Sequence, residues 1–150
     1  MTAQQFVRIS AALALAFGAS TSIAQNVYLN SGKVLKGEFP FSEAVKVGGT
    51  LYLSGQIGLI PGTTDVAPGG IKAEAKQTME NVKTSLEANG YALGHIVKCT
   101  AMLADMSEWS TFNEVYRTYF TPGKYPARSV FGASGLAFNA RVELECIAAK

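Results

Sequence analysis

Residues 126–129, Pro-Ala-Arg-Ser, put a single arginine at position 128, and fifteen positions later the run Arg141-Val142-Glu143-Leu144-Glu145 puts a carboxylate at Glu143. Arginine presents a planar fork of donors that meets a carboxylate through two bonds at once, so Arg128 on a strand opening into a pocket suits the grip of a small organic acid. A glutamate close to it suits the handling of a water and its protons. The same spacing also fits an ordinary ion pair between neighbouring strands, which would contribute little.

Other chemistries find less support in the residue types. His95 is the only histidine and reads as a solvated residue at a strand start. Cys99 and Cys146 both fall inside predicted strands, and no Cys/His cluster has metal-ligand spacing, so no metal site and no Cys/His catalysis is expected. Buried free thiols are the expected state of the two cysteines. A bridge would require an oxidising compartment and α-carbons within roughly 7 Å, which sequence does not establish.

The elements that must carry Arg128 and Glu143 follow from periodicity. Ala44–Val47 and Thr50–Ser54, joined by Gly48-Gly49, read as a hairpin that delivers Ser54 and Gly55 to a strand end. The Gly/Pro/Thr-rich stretch 61–70 reads as a loop. Ile71, Ala75, Met79, Val82 and Leu86 recur at helical steps, with Gly90 where a left-handed stop belongs. Residues 96–104 read as a strand, and Ser107 is placed to cap a second helix whose stripe of Trp109, Phe112, Tyr116 and Tyr119 reads as core. Two further strands, 128–131 and 140–148, close the chain, the last alternating Val142, Leu144, Cys146 and Ala148 with Arg141, Glu143 and Glu145. The order predicts an α+β sandwich with helices on one sheet face. The other face, expected to hold both Arg128 and Glu143, would be covered by another subunit.

The N-terminal 24 residues read as a cleaved signal peptide: Arg8 is their only charge, an apolar stretch runs from Ile9 to Ala19, and Ser22-Ile23-Ala24 has small residues where a signal peptidase reads. Residues 25–150 then form one domain, periplasmic or secreted, with no membrane span after cleavage. Without Arg8, 12 basic residues face 11 acidic ones. A mature charge of +1, with the basic residues scattered, argues against a nucleic-acid partner.

Leu53-Ser54-Gly55-Gln56-Ile57, Asn81-Val82-Lys83, Ile96-Val97-Lys98, the helix end from Asn113 to Phe120, Pro126-Ala127-Arg128-Ser129 and the Glu143-x-Glu145 strand occur together in an order and spacing that resembles the RidA/YjgF family of reactive-intermediate deaminases. The resemblance runs from about Phe39 to the C-terminus. It implies a chorismate-mutase-like, YjgF-type sandwich, a mixed sheet with two helices on one face, assembled as a homotrimer with clefts between subunits. It also implies cofactor-free hydrolysis of 2-aminoacrylate-type enamines and imines to 2-keto acids and ammonia. Carried over to this chain, Arg128 clamps the substrate carboxylate and Glu143 orients water and moves protons. Ser54, Gly55, Val130, Phe41 and Asn113 are the implied substrate-binding residues. Phe41 stands where the deaminase branch commonly has tyrosine, and Val130 where it commonly has cysteine, which makes the pocket more apolar. Two alternatives stay open: a trimer or holdase that binds small carboxylates without turning them over, and RNA cleavage, which the near-neutral charge and export disfavour.

Overall fold

The computed structural model describes residues 25–150; the expected signal peptide, 1–24, lies outside the described residues. The described residues alternate short strands with two α-helices: β1 (Val27–Leu29), β2 (Ala44–Val47), β3 (Thr50–Leu53), β4 (Gln56–Ile57), α1 (Gly70–Ala88), β5 (Ile96–Leu103), α2 (Trp109–Tyr116), β6 (Ala127–Gly132) and β7 (Val142–Ala149). They form one seven-stranded sheet in the order β1-β2-β3-β7-β5-β6, with β4 also paired to β7. All pairings are antiparallel except β5 with β6, which run parallel because α2 carries the chain back between them. This is the α+β architecture expected from the element order, with the mixed sheet that the family resemblance implies.

The hairpin forms where the glycines predict it, with Gly48 at φ 57° and Val47 opposite Thr50. In α1 the four-residue stripe Ala75, Met79, Val82 and Leu86 is fully buried. It stacks on inward residues of the sheet, among them Leu51, Leu53, Ala101, Leu144 and Cys146. Gly90, at φ 77°, ends α1, and the amide of Tyr91 donates back to the Leu86 carbonyl. Strand β7 follows its predicted alternation: Val142, Leu144, Cys146 and Ala148 are buried under the helices.

Four expectations are corrected. The cap before α2 is Asp105, whose carboxylate accepts from the Ser107 amide, so Ser107 is the donor of that turn and not its cap. Trp109 is 46% exposed and leaves the aromatic stripe, while Phe112 and Tyr116 are buried in the core. Cys99 and Cys146 are not free thiols. They stand directly opposite each other on β5 and β7 with α-carbons 4.1 Å apart, and their sulfurs are bonded. Each strand's pattern is legible alone; the register that makes them partners belongs to the pairing. Finally, Arg128 and Glu143 do not share a sheet face. Arg128 is in register with Cys99, and Cys99 with Cys146, three residues from Glu143. An odd offset in a strand inverts the side chain, so Arg128 faces the helices and Glu143 the opposite side.

Candidate active site

Glu143 sits on the open face of β7 beside the end of β4. Its carboxylate lies against Gly55, and the approach is close enough that a Cβ added at Gly55 would overlap the carboxylate and lie 2.8 Å from its carbon. The bare backbone at Gly55 lets the carboxyl group settle over the strand end, and a side chain there would push it out of this position. Burial raises the Glu143 pKa above the ordinary glutamate range, and the neighbouring charge of Glu145 raises it further. A carboxyl displaced upward exchanges protons closer to neutrality, which fits general acid–base work.

The cleft over Glu143 has a volume of about 710 Å³ and takes in Phe41, Ser54, Gly55 and Gln56. Ser54 is committed to the wall: its hydroxyl donates to the Ser42 carbonyl at 2.6 Å and its amide to the Glu43 carbonyl at 3.0 Å, which fixes the segment bearing Phe41. Glu43 in turn accepts from the Ser31 amide at 2.6 Å and donates its own amide to the Asn30 side chain at 2.8 Å. A buried asparagine supports the floor, since the Asn81 side-chain amide donates to the carbonyls of Ile57 and Leu59, both at 2.9 Å. Its motif was visible in the sequence; its duty of pinning β4 was not.

Arg128 belongs to a second locus. Its guanidinium donates to the Asn113 side-chain oxygen at 2.6 Å and lies over the Tyr116 ring, 4.5 Å from the centroid, with the Phe112 ring at 5.5 Å. Two aromatic faces and one amide therefore orient the fork, with donors left for an anion. Burial pulls the guanidinium below its ordinary pKa, although the nearby Tyr116 favours the charged form. Burial likewise pushes the Tyr116 phenol up to about 12, against the pull of Arg128. Val130, two residues along β6, is half-buried against the main core.

The predicted residues thus fall into two groups within one chain. Glu143, Gly55, Ser54 and Phe41 gather at the cleft; Arg128 and Asn113 gather at α2, with Val130 further along β6. Strand β5 and the thickness of the sheet separate them. Sequence reasoning missed the cleft residues Phe39 and Phe138. Phe138 and Asn139 adopt φ 55° and 54°, a left-handed pair of non-glycine residues that costs roughly 1–2 kcal/mol each; no local propensity of phenylalanine signals that conformation. Among the described residues no cluster of three or more His, Cys, Asp or Glu is placed to hold a metal ion, and no helix is long and apolar enough to cross a membrane.

Known proteins share this fold. A family described as Endoribonuclease L-PSP matches residues 31–150. The mouse 2-iminobutanoate/2-iminopropanoate deaminase is 45% identical over 109 residues, covering 73% of this chain and 80% of that protein. The human protein of the same name is 39% identical, covering 73% and 79%. Among solved structures, RidA from the Antarctic bacterium Psychrobacter sp. PAMC 21119 is 35% identical with a TM-score of 0.77, covering 83% of this chain and 99% of that one. Escherichia coli TdcF, solved with bound serine, is 29% identical with a TM-score of 0.76, covering 83% and 98%. By sequence and by fold, this chain belongs to the RidA/YjgF family, the Endoribonuclease L-PSP family.

Proposed function

We propose that this protein hydrolyses reactive 2-aminoacrylate-type enamines and imines to 2-keto acids and ammonia, in a site completed between subunits of a homotrimer. The observation that carries the reading is the division of labour just described. An arginine with an oriented fork and a glutamate of raised pKa lie on opposite faces of one sheet, in a chain whose relatives are named for imine deamination. Each group suits its half of the reaction, and only contact between protomers, with the β6 edge of one meeting the Glu143 cleft of the next, would join them.

The imine carbon is already electrophilic, so no cofactor is required. Arg128 holds the substrate carboxylate, which fixes the carbon relative to Glu143. Glu143 accepts a proton from water as its oxygen adds to the carbon and returns that proton to the nitrogen; it then takes the hydroxyl proton of the adduct as the C–N bond breaks and the carbonyl forms, and passes it to the departing ammonia. For the iminium form the balance is RC(=NH2+)COO− plus water giving RC(=O)COO− plus NH4+. An enamine first takes a proton on carbon.

The open sheet face supports assembly. Tyr28, Val45, Tyr52 and Ile147 stand side by side across β1, β2, β3 and β7, and Tyr28 and Tyr52 are 68% and 47% exposed. An apolar row of that extent favours burial against further copies. Export to the periplasm or medium, from the expected signal peptide, is supported by the Cys99–Cys146 bridge, which persists in oxidising compartments.

The test is subunit complementation. Arg128→Ala and Glu143→Gln proteins are each expected to lose ammonia release from fresh 2-iminopropanoate. Trimers re-formed from an equal mixture should regain about a quarter of wild-type activity, because one site in four then draws an intact Arg128 and an intact Glu143 from different protomers. No recovery, with both variants folded and trimeric, overturns the shared site. One observation favours the second reading, a trimer that binds small carboxylates without turnover: Phe41 brings no hydroxyl to the cleft. Keto-acid binding without ammonia release from the wild type would establish it.

A further inference from the structure

In the single protomer, before a neighbouring subunit closes over it, the cleft above Glu143 is larger and more apolar than a three-carbon imino acid needs. Its volume of about 710 Å³ lies in the range that encloses a drug-sized ligand. Three phenylalanines stand around it half-exposed: Phe39 at 40%, Phe41 at 52% and Phe138 at 48%. Rings of this size are normally buried, and three lining one cleft make an apolar collar for a ligand's side chain. The rings of Phe39 and Phe41 are 5.3 Å apart and tilted by 32°, so one side of the collar is a preformed aromatic pair.

Phe138 joins them in the lining at a structural cost. It sits at φ 55°, ψ 27°, directly before Asn139, also left-handed, in the turn entering β7. A bulky side chain in that region persists only where its surroundings hold it, and such strain concentrates at ligand-binding sites. The surroundings are visible: Leu136 and Ala140, on either side of the turn, pack into a small apolar cluster with Ile57 and Leu59, which also line the cleft floor. The turn is thus anchored on both flanks while the Phe138 ring between them is left on the cleft.

We propose that the preferred substrates of this site are 2-imino acids with a large apolar side chain, aromatic or branched, which the Phe39–Phe41–Phe138 collar takes up while the imine carbon stays at Glu143. The proposal rests on the deaminase reading for its reaction but not for its ligand chemistry. A 2-keto acid with the same side chain should also seat in the collar, because the side chain is what the rings contact.

Two measurements separate the collar from the chemistry. The first is the ratio of kcat/KM for 2-imino-3-phenylpropanoate over 2-iminopropanoate, each generated fresh by an amino-acid oxidase. The second is the calorimetric affinity ratio of phenylpyruvate over pyruvate, which needs no turnover. Both ratios are expected to exceed about tenfold in the wild-type trimer, and Phe138→Ala is expected to lower each by about tenfold. Because Phe138→Ala also alters a strained turn, Phe39→Ala, at a lining position without positive φ, serves as the second variant and should lower both ratios in the same direction. Turnover of both imines with no aromatic preference in either ratio overturns the collar and leaves the deaminase standing. Absence of all turnover with a retained, Phe138-dependent preference for phenylpyruvate supports the collar and overturns the deaminase.

Discussion

At the scale of single residues, the site depends on shape as much as on charge. Arg128→Lys keeps a cation but loses the planar fork that Asn113 and the Tyr116 ring orient, so kcat/KM is expected to fall modestly. Arg128→Ala removes both and should lower it by on the order of 10², about 3 kcal/mol of transition-state stabilisation. Thermal melts of both variants separate loss of grip from loss of the packing that the guanidinium provides on α2. The pH profile offers an independent readout. Burial first, and Glu145 second, hold the Glu143 carboxyl above its ordinary pKa. Its base form therefore disappears as pH falls through a value higher than that of a free glutamate. Glu145→Gln removes one of the two causes and leaves the burial. The acid limb of kcat/KM should consequently move to lower pH, and a limb that stays in place or moves upward refutes the assignment of Glu143 as the base.

At the scale of elements, the pair β5 and β7 is the frame on which everything is hung. Strand β7 carries Glu143, β5 separates it from the arginine strand β6, and the Cys99–Cys146 bridge locks their register under the helices. The bridge closes a span of 47 residues, for which chain entropy gives about 4 kcal/mol of stabilisation in the unfolded-state account. Replacing both cysteines by alanine should lower the unfolding free energy by about 2–4 kcal/mol in urea titrations. The strand pairing is expected to survive, because Leu144, Ala101 and Leu51 still bury the same interface. Equal stability with and without the bridge would show that the register is held by packing alone.

At the scale of the whole molecule, one protomer has a finished face and an unfinished one. Helices α1 and α2 cover the first. The second leaves Tyr28, Val45, Tyr52 and Ile147 in an uncovered row, with Lys98 continuing it on β5 through its pairing with Ile147. Tyr52→Glu places a charge in the middle of that row without touching the helix-side core. The variant should remain folded by circular dichroism yet lose trimers in light scattering, and should lose activity with them if the site is shared. A wild-type protein that is monomeric at micromolar concentration would remove the interfacial site altogether.

Much of this was legible before folding. The helical stripe of α1, the glycine hairpin before Ser54 and the alternation of β7 are local patterns, and each appears where periodicity places it, because the core rewards the same residues that the period exposes. Trp109 departed from its stripe because the short α2 turns that edge outward, which no seven-residue window reveals. The chemistry-bearing types, Arg128 and Glu143, were also legible, together with the family to which their spacing belongs. Which face each side chain occupies was not. That depends on register across three strands, set by pairings between residues far apart in sequence, and a single-residue offset inverts it. For the same reason the facing of Cys99 and Cys146, the closeness of Glu143 to Gly55 and the left-handed turn that lays Phe138 on the cleft were decided only by the tertiary structure. Local sequence determined the elements and the reactive groups; long-range packing determined which of them meet.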